Sequence, residues 1–567
     1  MSSFFAPTVD WAALAPVLVV LGAGVVGVLV EAFVPARARR ATQLTLALAA
    51  LVGAFVAIAV LWHTVRTEGG RSVLGGAYQL DGFGASVQAV VVVLAAVAVL
   101  VIADRSAAGQ DAFAPSAAAV PGTPYEDLAQ RRGLEQTEVF PLTLFATGGM
   151  MIFPAAGDLL TMFVALEVLS LPLYVLTATA RRRRLLSQEA SFKYFLLGAF
   201  ASALFLFGTA LLYGAAGSVK ITDLGQALGQ AASGPDGVGA MALVGALFVL
   251  AGLLFKVGAA PFHLWTPDVY QGAPTPVTGF MAACTKAAAF GAMIRVLVVV
   301  GAGMRAGLPD AYDGLVVALW AAAIASMVVG TVVSLLQVDM KRILGYSAVA
   351  HTGFILVGVV GMLAAADGDA LGSALSSLVF YLLAYGLAVV GAFAVVTLVR
   401  ETSSSTARAE QLVGASGATA PEPGASPAAP TADEAPVVLG EATHLSQWVG
   451  LGRRSPWLAA LFSLFLLSMA GIPLTAGFVA KFGVFSSAVA GGSWVLALVG
   501  VLASAVAVFF YVRIIVLMYF TSPEEGEGAD AVTALRPRAP VLVALVLCAA
   551  GVLGLGVFPS SVLGLLG

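Results

Sequence analysis

Charge is scarce in this chain of 567 residues: Asp, Glu, Lys and Arg make up 10% of it, against about 25% in ordinary soluble proteins. Hydrophobic residues supply 60%, so a soluble fold is excluded and most of the length must lie in lipid or against other membrane helices. A net charge of -3 gives no reason to expect a nucleic-acid or strongly acidic partner. Cysteine is nearly absent. Cys284 and Cys548 both lie in apolar runs and share no CxxC or Cys/His spacing, so neither an iron-sulfur cluster nor a zinc site is indicated. Four scattered histidines do not change that. No Gly-rich phosphate-binding fingerprint is present, which argues against nucleotide chemistry here. Residues 1–16 show no basic segment or small-residue cleavage pattern before the first apolar run, so no removable signal peptide is expected.

Lysine is scarce even among the few charges. The 28 basic residues include only six lysines, Lys193, Lys220, Lys256, Lys286, Lys341 and Lys481, and four of these (193, 256, 286 and 481) lie within apolar stretches. A lysine in hydrocarbon costs a few kcal/mol even on lenient scales, and arginine serves as well at most water-facing positions. Lys220 and Lys341 are expected in loops.

What is present is a long series of apolar runs. At about 20 residues per span, fourteen helices are expected, centred on residues 11–34, 42–62, 83–103, 139–156, 158–179, 188–214, 238–260, 275–300, 314–337, 343–364, 371–399, 456–488, 493–520 and 539–561. Only Ala155 to Asp158 separate the fourth and fifth, so thirteen is the competing count. Loops after odd-numbered helices carry 18 basic residues and loops after even ones carry 4. By the positive-inside rule the odd loops face the cytoplasm and both termini lie outside. Dropping one helix would scatter these charges over both sides.

Two loops are long. Residues 104–138 carry mixed charge, while 401–440 is rich in Ala, Ser, Pro and Gly with no aromatic residue, the composition of a disordered cytoplasmic tether. Two helices are interrupted. The seventh reads LLFKVGAAPFHLWTP from Leu253 to Pro267, and the twelfth SMAGIPLTAGFVAKF from Ser468 to Phe482. Proline removes a ladder hydrogen bond and glycine loosens the turn, leaving carbonyls that need partners. The breaks lie five helices apart, so helices 4–8 and 9–13 are expected to form two inverted five-helix repeats. The expected organisation is three leading helices (1–103), a cytoplasmic loop (104–138), a first repeat (139–301), a second repeat (313–521) interrupted by the disordered loop 401–452, and a final helix (538–567).

Glu167 stands about ten residues into helix 5, roughly 15 Å deep at 1.5 Å per residue, and intramembrane ionisable groups are functional by default. Lys286 lies at a similar depth in helix 8, Lys256 just before the break in helix 7, and Lys481 after the break in helix 12. A desolvated lysine can release its proton near neutral pH, whereas an arginine cannot. The bland alternative is a permanent Glu-Lys pair holding helices together. Lys193, only a turn or so into helix 6, can instead snorkel to the interface. His263 after the helix 7 break and His351 in helix 10 are candidate relays, although a lone histidine is more commonly a hydrogen-bonded core residue. Tyr381 and Tyr385 are expected to pack or hydrogen-bond across helices, and Arg295 and Arg513 to be interfacial or paired.

The stretch FKVGAAPFHLWTPDVYQGAPTPVTGF (Phe255 to Phe280), TKAAAFG around Lys286, LEVLSLPLYVL around Glu167 and AGIPLTAGFVAKF before Gly483 resemble the antiporter-like, proton-translocating membrane subunits of bacterial NADH:quinone oxidoreductase, complex I. The resemblance implies an all-α polytopic membrane protein of a bacterial cytoplasmic membrane. It implies that Glu167 and Lys256 form the charge pair of a first half-channel, that Lys286 connects the halves, and that Lys481 takes the outer-half position. Lys193 and His263 match further positions on the family's polar axis. It implies no cofactor in this chain, with NADH, FMN, iron-sulfur clusters and quinone held elsewhere in the complex. Partners would be the other membrane and peripheral subunits, especially neighbouring antiporter-like ones. Two alternatives stay open: a subunit of a multisubunit sodium/proton antiporter, and a non-conducting scaffold.

Overall fold

The computed structural model describes residues 9–105, 111–114, 135–181, 183–231, 237–365, 368–403, 437–522 and 532–566. The disordered tether expected within 401–440 falls almost wholly on residues outside this set. Twelve of the described helices are long and apolar enough to cross a membrane. The shorter apolar helix Val139–Ala155, and Pro456–Ala470 with Ala476–Ala490 taken as two halves of one span, bring the number to fourteen. The spans are helix 1 (Trp11–Phe33), 2 (Ala36–Glu68), 3 (Gly82–Ile102), 4 (Val139–Ala155), 5 (Leu159–Thr177), 6 (Arg184–Ala216), 7 (Val238–Val257 followed by Trp265–Gly272), 8 (Thr275–Gly307), 9 (Pro309–Leu336), 10 (Met340–Leu363), 11 (Gly368–Leu398), 12 (the two halves above), 13 (Trp494–Tyr519) and 14 (Ala539–Val557).

Contacts between loops sort into two faces. On one, Arg71 after helix 2 pairs with Asp10 ahead of helix 1, Tyr78 bridges to Ala156 after helix 4, and Asp158 to Lys220 after helix 6. On the other, Phe113 after helix 3 bridges to Ala180 after helix 5, and Asp339 after helix 9 to His444 after helix 11. Odd loops thus meet odd loops and even loops meet even loops, the alternation that consecutive membrane crossings require. The Ala155–Asp158 connection is a complete turn: the Asp158 carboxylate caps helix 5 by accepting from the Thr161 amide, which ends helix 4 and begins helix 5 within four residues.

Helices 10 and 11 bury 94% and helix 8 buries 83% of their most apolar stretches inside the chain, whereas helices 2, 13 and 14 bury a third or less. The middle of the protein is therefore built from 8, 10 and 11, with the others around them. Helix 10 packs on 9, 7 and the second half of 12, and helix 11 on 3, 8 and both halves of 12.

Small β elements, unforeseen in so apolar a chain, finish the two faces. A hairpin joins β1 (Arg71–Val73) to β2 (Tyr78–Leu80) after helix 2. On the opposite face β3 (Val399–Ser403), continuing helix 11, pairs antiparallel with β4 (Val437–Glu441) and β5 (Val532–Ala534). The flanks of loop 401–440 are therefore pinned in a sheet, and the strand after helix 13 is pinned with them.

Candidate functional site: a buried polar axis

Both expected breaks are present. The first half of helix 7 ends at Gly258, with φ +73°, a left-handed conformation that a side chain would strain and in which an added Cβ would lie 2.6 Å from the Thr266 hydroxyl. The first half of helix 12 ends at Gly471, with φ +86°. A Cβ there would come within 3.0 Å of the Lys481 side chain, so this glycine both turns the chain and leaves room for the lysine. A third irregularity was not expected. Helix 8 opens into a five-residue π-helical turn, Met281–Thr285, immediately before Lys286, a widening that often marks functional positions.

Lys256, Lys286 and Lys481 are only 2%, 3% and 6% exposed, so none reaches solvent by snorkelling. Lys256 Nζ donates to the Ser170 hydroxyl at 2.7 Å and to Tyr194 OH at 3.2 Å, and lies 5.1 Å from the centre of the Tyr194 ring. Glu167 accepts from the Ser202 hydroxyl of helix 6. Glu167 and Lys256 make no ion pair within 4.0 Å among the described residues. Lys256 meets helix 5 at Ser170, one turn beyond Glu167. Glu167 is also less enclosed than the lysines, being only half-buried.

Lys286 Nζ donates to the Ala348 carbonyl and to Thr352 Oγ1, both on helix 10. Thr352 Oγ1 lies 2.9 Å from the carbonyl oxygen of Val257, the residue after Lys256. The Lys286 ammonium stands 5.8 Å from the centre of the Tyr385 ring, and that ring lies 4.7 Å from the His351 ring. His351 joins two tyrosines, with Nδ1 2.8 Å from Tyr381 OH and Nε2 3.2 Å from Tyr511 OH, and Tyr511 continues to Ser347. A cavity of about 10 Å³, close to the space one water needs, lies among His351, Tyr381, Tyr385, Ser468 and Ala480. Tyr385 OH is buried without a hydrogen-bond partner among the described residues. Beyond it, Lys481 donates to the Ala470 carbonyl freed by the helix 12 break at 2.9 Å and to the Ser504 hydroxyl of helix 13 at 2.8 Å, and stands 4.7 Å from the centre of the Phe354 ring. Glu167, Lys256, Lys286, His351 and Lys481 thus fall in one row across the middle of the protein, with Ser, Thr and Tyr hydroxyls between them.

Two expected members lie off this row. Lys193, its side chain 41% exposed, makes ion pairs with Glu189 at 2.7 Å and Asp268 at 2.8 Å, and Asp268 also holds Arg342 at 2.7 Å. It belongs to an ionic cluster at the end of the second half of helix 7. His263 is buried beside Tyr346, with Nδ1 lacking a partner among the described residues. Arg295 is paired, in a two-pronged bond with Asp81 at 2.8 and 2.9 Å, and Arg513 donates to the Leu335 carbonyl at 3.0 Å.

Lys341 requires a correction. It is not a loop lysine: it is the second residue of helix 10, 3% exposed, and donates to the Ala273 carbonyl at 2.6 Å. Arg400 and Glu441 of the sheet, 3.6 Å apart, face it. Burial pushes the Glu441 carboxyl up, but Arg400 and then Lys341 outweigh burial and hold it below its usual range. Neither Lys341 nor Glu441 was among the candidate residues, because a basic pair at a helix start reads as an interfacial anchor and the sheet that encloses it comes from distant loops.

Among the described residues no group of His, Cys, Asp and Glu could hold a metal ion. Cys284 and Cys548 are both buried and unpaired with each other.

Fourteen crossings, two broken helices and a buried row of lysines and hydroxyls define a class: a multi-pass membrane protein with a polar axis buried in its interior. The chain belongs to the NADH:quinone oxidoreductase/Mrp antiporter membrane-subunit family, which matches residues 156–416 and 437–507. The NADH-quinone oxidoreductase subunit N of Beutenbergia cavernae is 55% identical over 100% of this chain and 98% of its own length. A chain of respiratory complex I from Thermus thermophilus superposes with a TM-score of 0.69 at 29% identity, covering 97% of this chain and 98% of that one. A chain of the Mrp complex from a Dietzia species matches at 0.69 with 21% identity, over 97% of this chain and 96% of that one, which shows a shared fold alone.

Proposed function

We propose that this chain is a proton-translocating membrane subunit of a bacterial NADH:quinone oxidoreductase, set in the cytoplasmic membrane with its odd loops inside and both termini outside. The observation that carries the reading is the connection of Lys286 through the Thr352 hydroxyl to the Val257 carbonyl beside Lys256, which holds two buried lysines of different helices in one hydrogen-bonded network. Glu167, half-buried and hydrogen-bonded to Ser202, is where an adjoining subunit can reach the row from outside. A change in its charge acts on Lys256, the proton passes by Lys286 and Thr352 toward His351 and Lys481, and release follows on the outer side. NADH, flavin, iron-sulfur and quinone chemistry fall to other subunits, and this chain contributes the path alone. The left-handed glycine at each break supports the arrangement in two inverted repeats of helices 4–8 and 9–13. Lys193 acts at the cytoplasmic end of the path through Asp268, and His263 beside the break.

The test is purification from the native membrane followed by reconstitution. Flavin and iron-sulfur subunits must accompany this chain, and NADH oxidation must drive proton uptake that Lys286→Arg impairs. Copurification with antiporter subunits alone, and sodium-driven proton exchange, would establish the antiporter reading instead.

A further inference from the structure

The second half of the row has no described route from the cytoplasm to Lys286, and the feature nearest to one is the enclosed group around Lys341. We propose that Lys341, faced by Glu441, is a fourth proton-carrying lysine, which loads Lys286 from the cytoplasmic side along the hydroxyls of Thr275, Thr278 and Thr285. This rests on the reading of the chain as a proton-translocating subunit and supplies its uptake site.

Five observations converge. Lys341 is as buried as Lys286, so it does not serve as a headgroup anchor. Its Nζ is bonded to Ala273, two residues before the first threonine of helix 8. Those threonines stand at 275, 278 and 285 along helix 8, and all three are at most 2% exposed. Thr285 Oγ1 is buried without a hydrogen-bond partner among the described residues, while Thr278 Oγ1 lies 3.2 Å from the Tyr270 carbonyl and 3.3 Å from the Pro274 carbonyl. Thr285 lies in the π-helical turn directly before Lys286. A buried hydroxyl left unpaired is costly, and water threading between such groups relieves that cost while forming a proton path.

Charge around Lys341 completes the case. It is faced by Glu441, Asp339, Arg183 and Arg400, two acids and two arginines. Only Lys341 among the basic groups of the set can give up its proton near neutral pH. Glu441, held ionised by Arg400, acts as its countercharge. The Thr275 hydroxyl faces the Glu441 carboxylate, so the site opens directly onto the threonine column. Each step is one proton passed: N–H at Lys341 breaks as O–H forms on a water of the column, and N–H at Lys286 forms as the last water gives its proton up. No electrons change hands.

The experiment uses the whole complex in proteoliposomes and reads protons taken up per NADH oxidised. Lys341→Arg keeps the charge and the reach to Ala273 but cannot release a proton, and Thr285→Val keeps the volume but removes the hydroxyl. Each is expected to lower the proton ratio, and Thr285→Ser is expected to restore it. Glu441→Gln is expected to move the pH profile of pumping while leaving assembly intact. Lys286→Met is the control. If Lys286→Met lowers the ratio but Lys341→Arg and Thr285→Val pump as the parent does, the uptake site is wrong and the axis stands. If Lys286→Met also pumps normally, the axis itself is wrong. Thr285→Val guards against a Lys341 variant that fails to assemble, because its own loss or retention of pumping decides the column independently.

Discussion

Thr352 Oγ1 lies 2.9 Å from the Val257 carbonyl oxygen while accepting from Lys286. The residue that ends the first half of helix 7 is thereby joined through one hydroxyl to the lysine of helix 8. The Gly258 turn makes this possible by freeing a carbonyl at that depth, and the hydroxyl on helix 10 occupies it. Replacing Thr352 by Val keeps the shape and removes the link. The expected result is proton transfer slowed ~100-fold, the lower end of what positioned proton-transfer groups contribute, at a stability cost of about 1 kcal/mol. NADH-driven proton uptake in vesicles checks it, with NADH oxidation by an artificial acceptor unchanged. Uptake at the parent ratio would remove Thr352 from the path.

Lys256 has two hydroxyl partners, and they predict different phenotypes. Ser170 lies on helix 5 beside Glu167, whereas Tyr194 belongs to helix 6 and stacks at 4.6 Å on Trp265 in the second half of helix 7. Ser170→Ala should weaken the response of Lys256 to Glu167 and lower the proton ratio without disturbing packing. Tyr194→Phe should preserve the stacking and lose only a 3.2 Å bond, with a smaller effect. Equal losses from the two variants, measured in the same vesicles, would contradict a route that runs through helix 5.

Much of this arrangement is legible in the residues alone, and what escapes has identifiable causes. Spans follow from apolar length, and their alternation from the basic loops, because lipid leaves the backbone few options. Lys256, Lys286 and Lys481 stand out because a charge in an apolar run is costly. Lys341 escapes that logic: three residues earlier stands Val338, and the preceding Gln337 and following Arg342 give its surroundings the look of a loop. Its burial depends on β3 and β4, whose pairing crosses 33 residues that local pattern says nothing about. Lys193 shows the converse. It is intramembrane by position, yet Asp268, brought near by the bend of helix 7, draws it into an ion-paired cluster.

Lys481 takes its place from two unlike partners, the Ala470 carbonyl across the break and Ser504 on helix 13. Ser504→Ala removes only the second, so the lysine stays buried with one bond fewer. Assembly should be retained, and the protons taken up per NADH oxidised should fall. Lys481→Arg should assemble less well as well as pump poorly, because the lysine stem packs so close to Gly471 that even an added Cβ there would come within 3.0 Å of it, and the bulkier guanidinium does not fit that space. An arginine variant that pumped normally would show that no proton leaves this position.

Acid should loosen the sheet that covers Lys341. Glu441 is held below its usual range in the folded chain because Arg400 and Lys341 outweigh the effect of burial. A carboxyl whose folded value is depressed contributes stability that is complete above its unfolded value of about 4.3 and is lost as pH falls through the lower folded value. Between pH 7 and 5 the β3 to β4 pairing should therefore hold, and it should weaken as the pH is taken below about 4. Hydrogen exchange of the amides in 399–403, corrected for the intrinsic pH dependence, reads this directly. Glu441→Gln should lower their protection at pH 7 and abolish the acid transition, since the glutamine has no charge to lose. A transition that persisted unchanged in Glu441→Gln would assign the acid sensitivity to another carboxylate on the same face, such as Asp339 or Glu401.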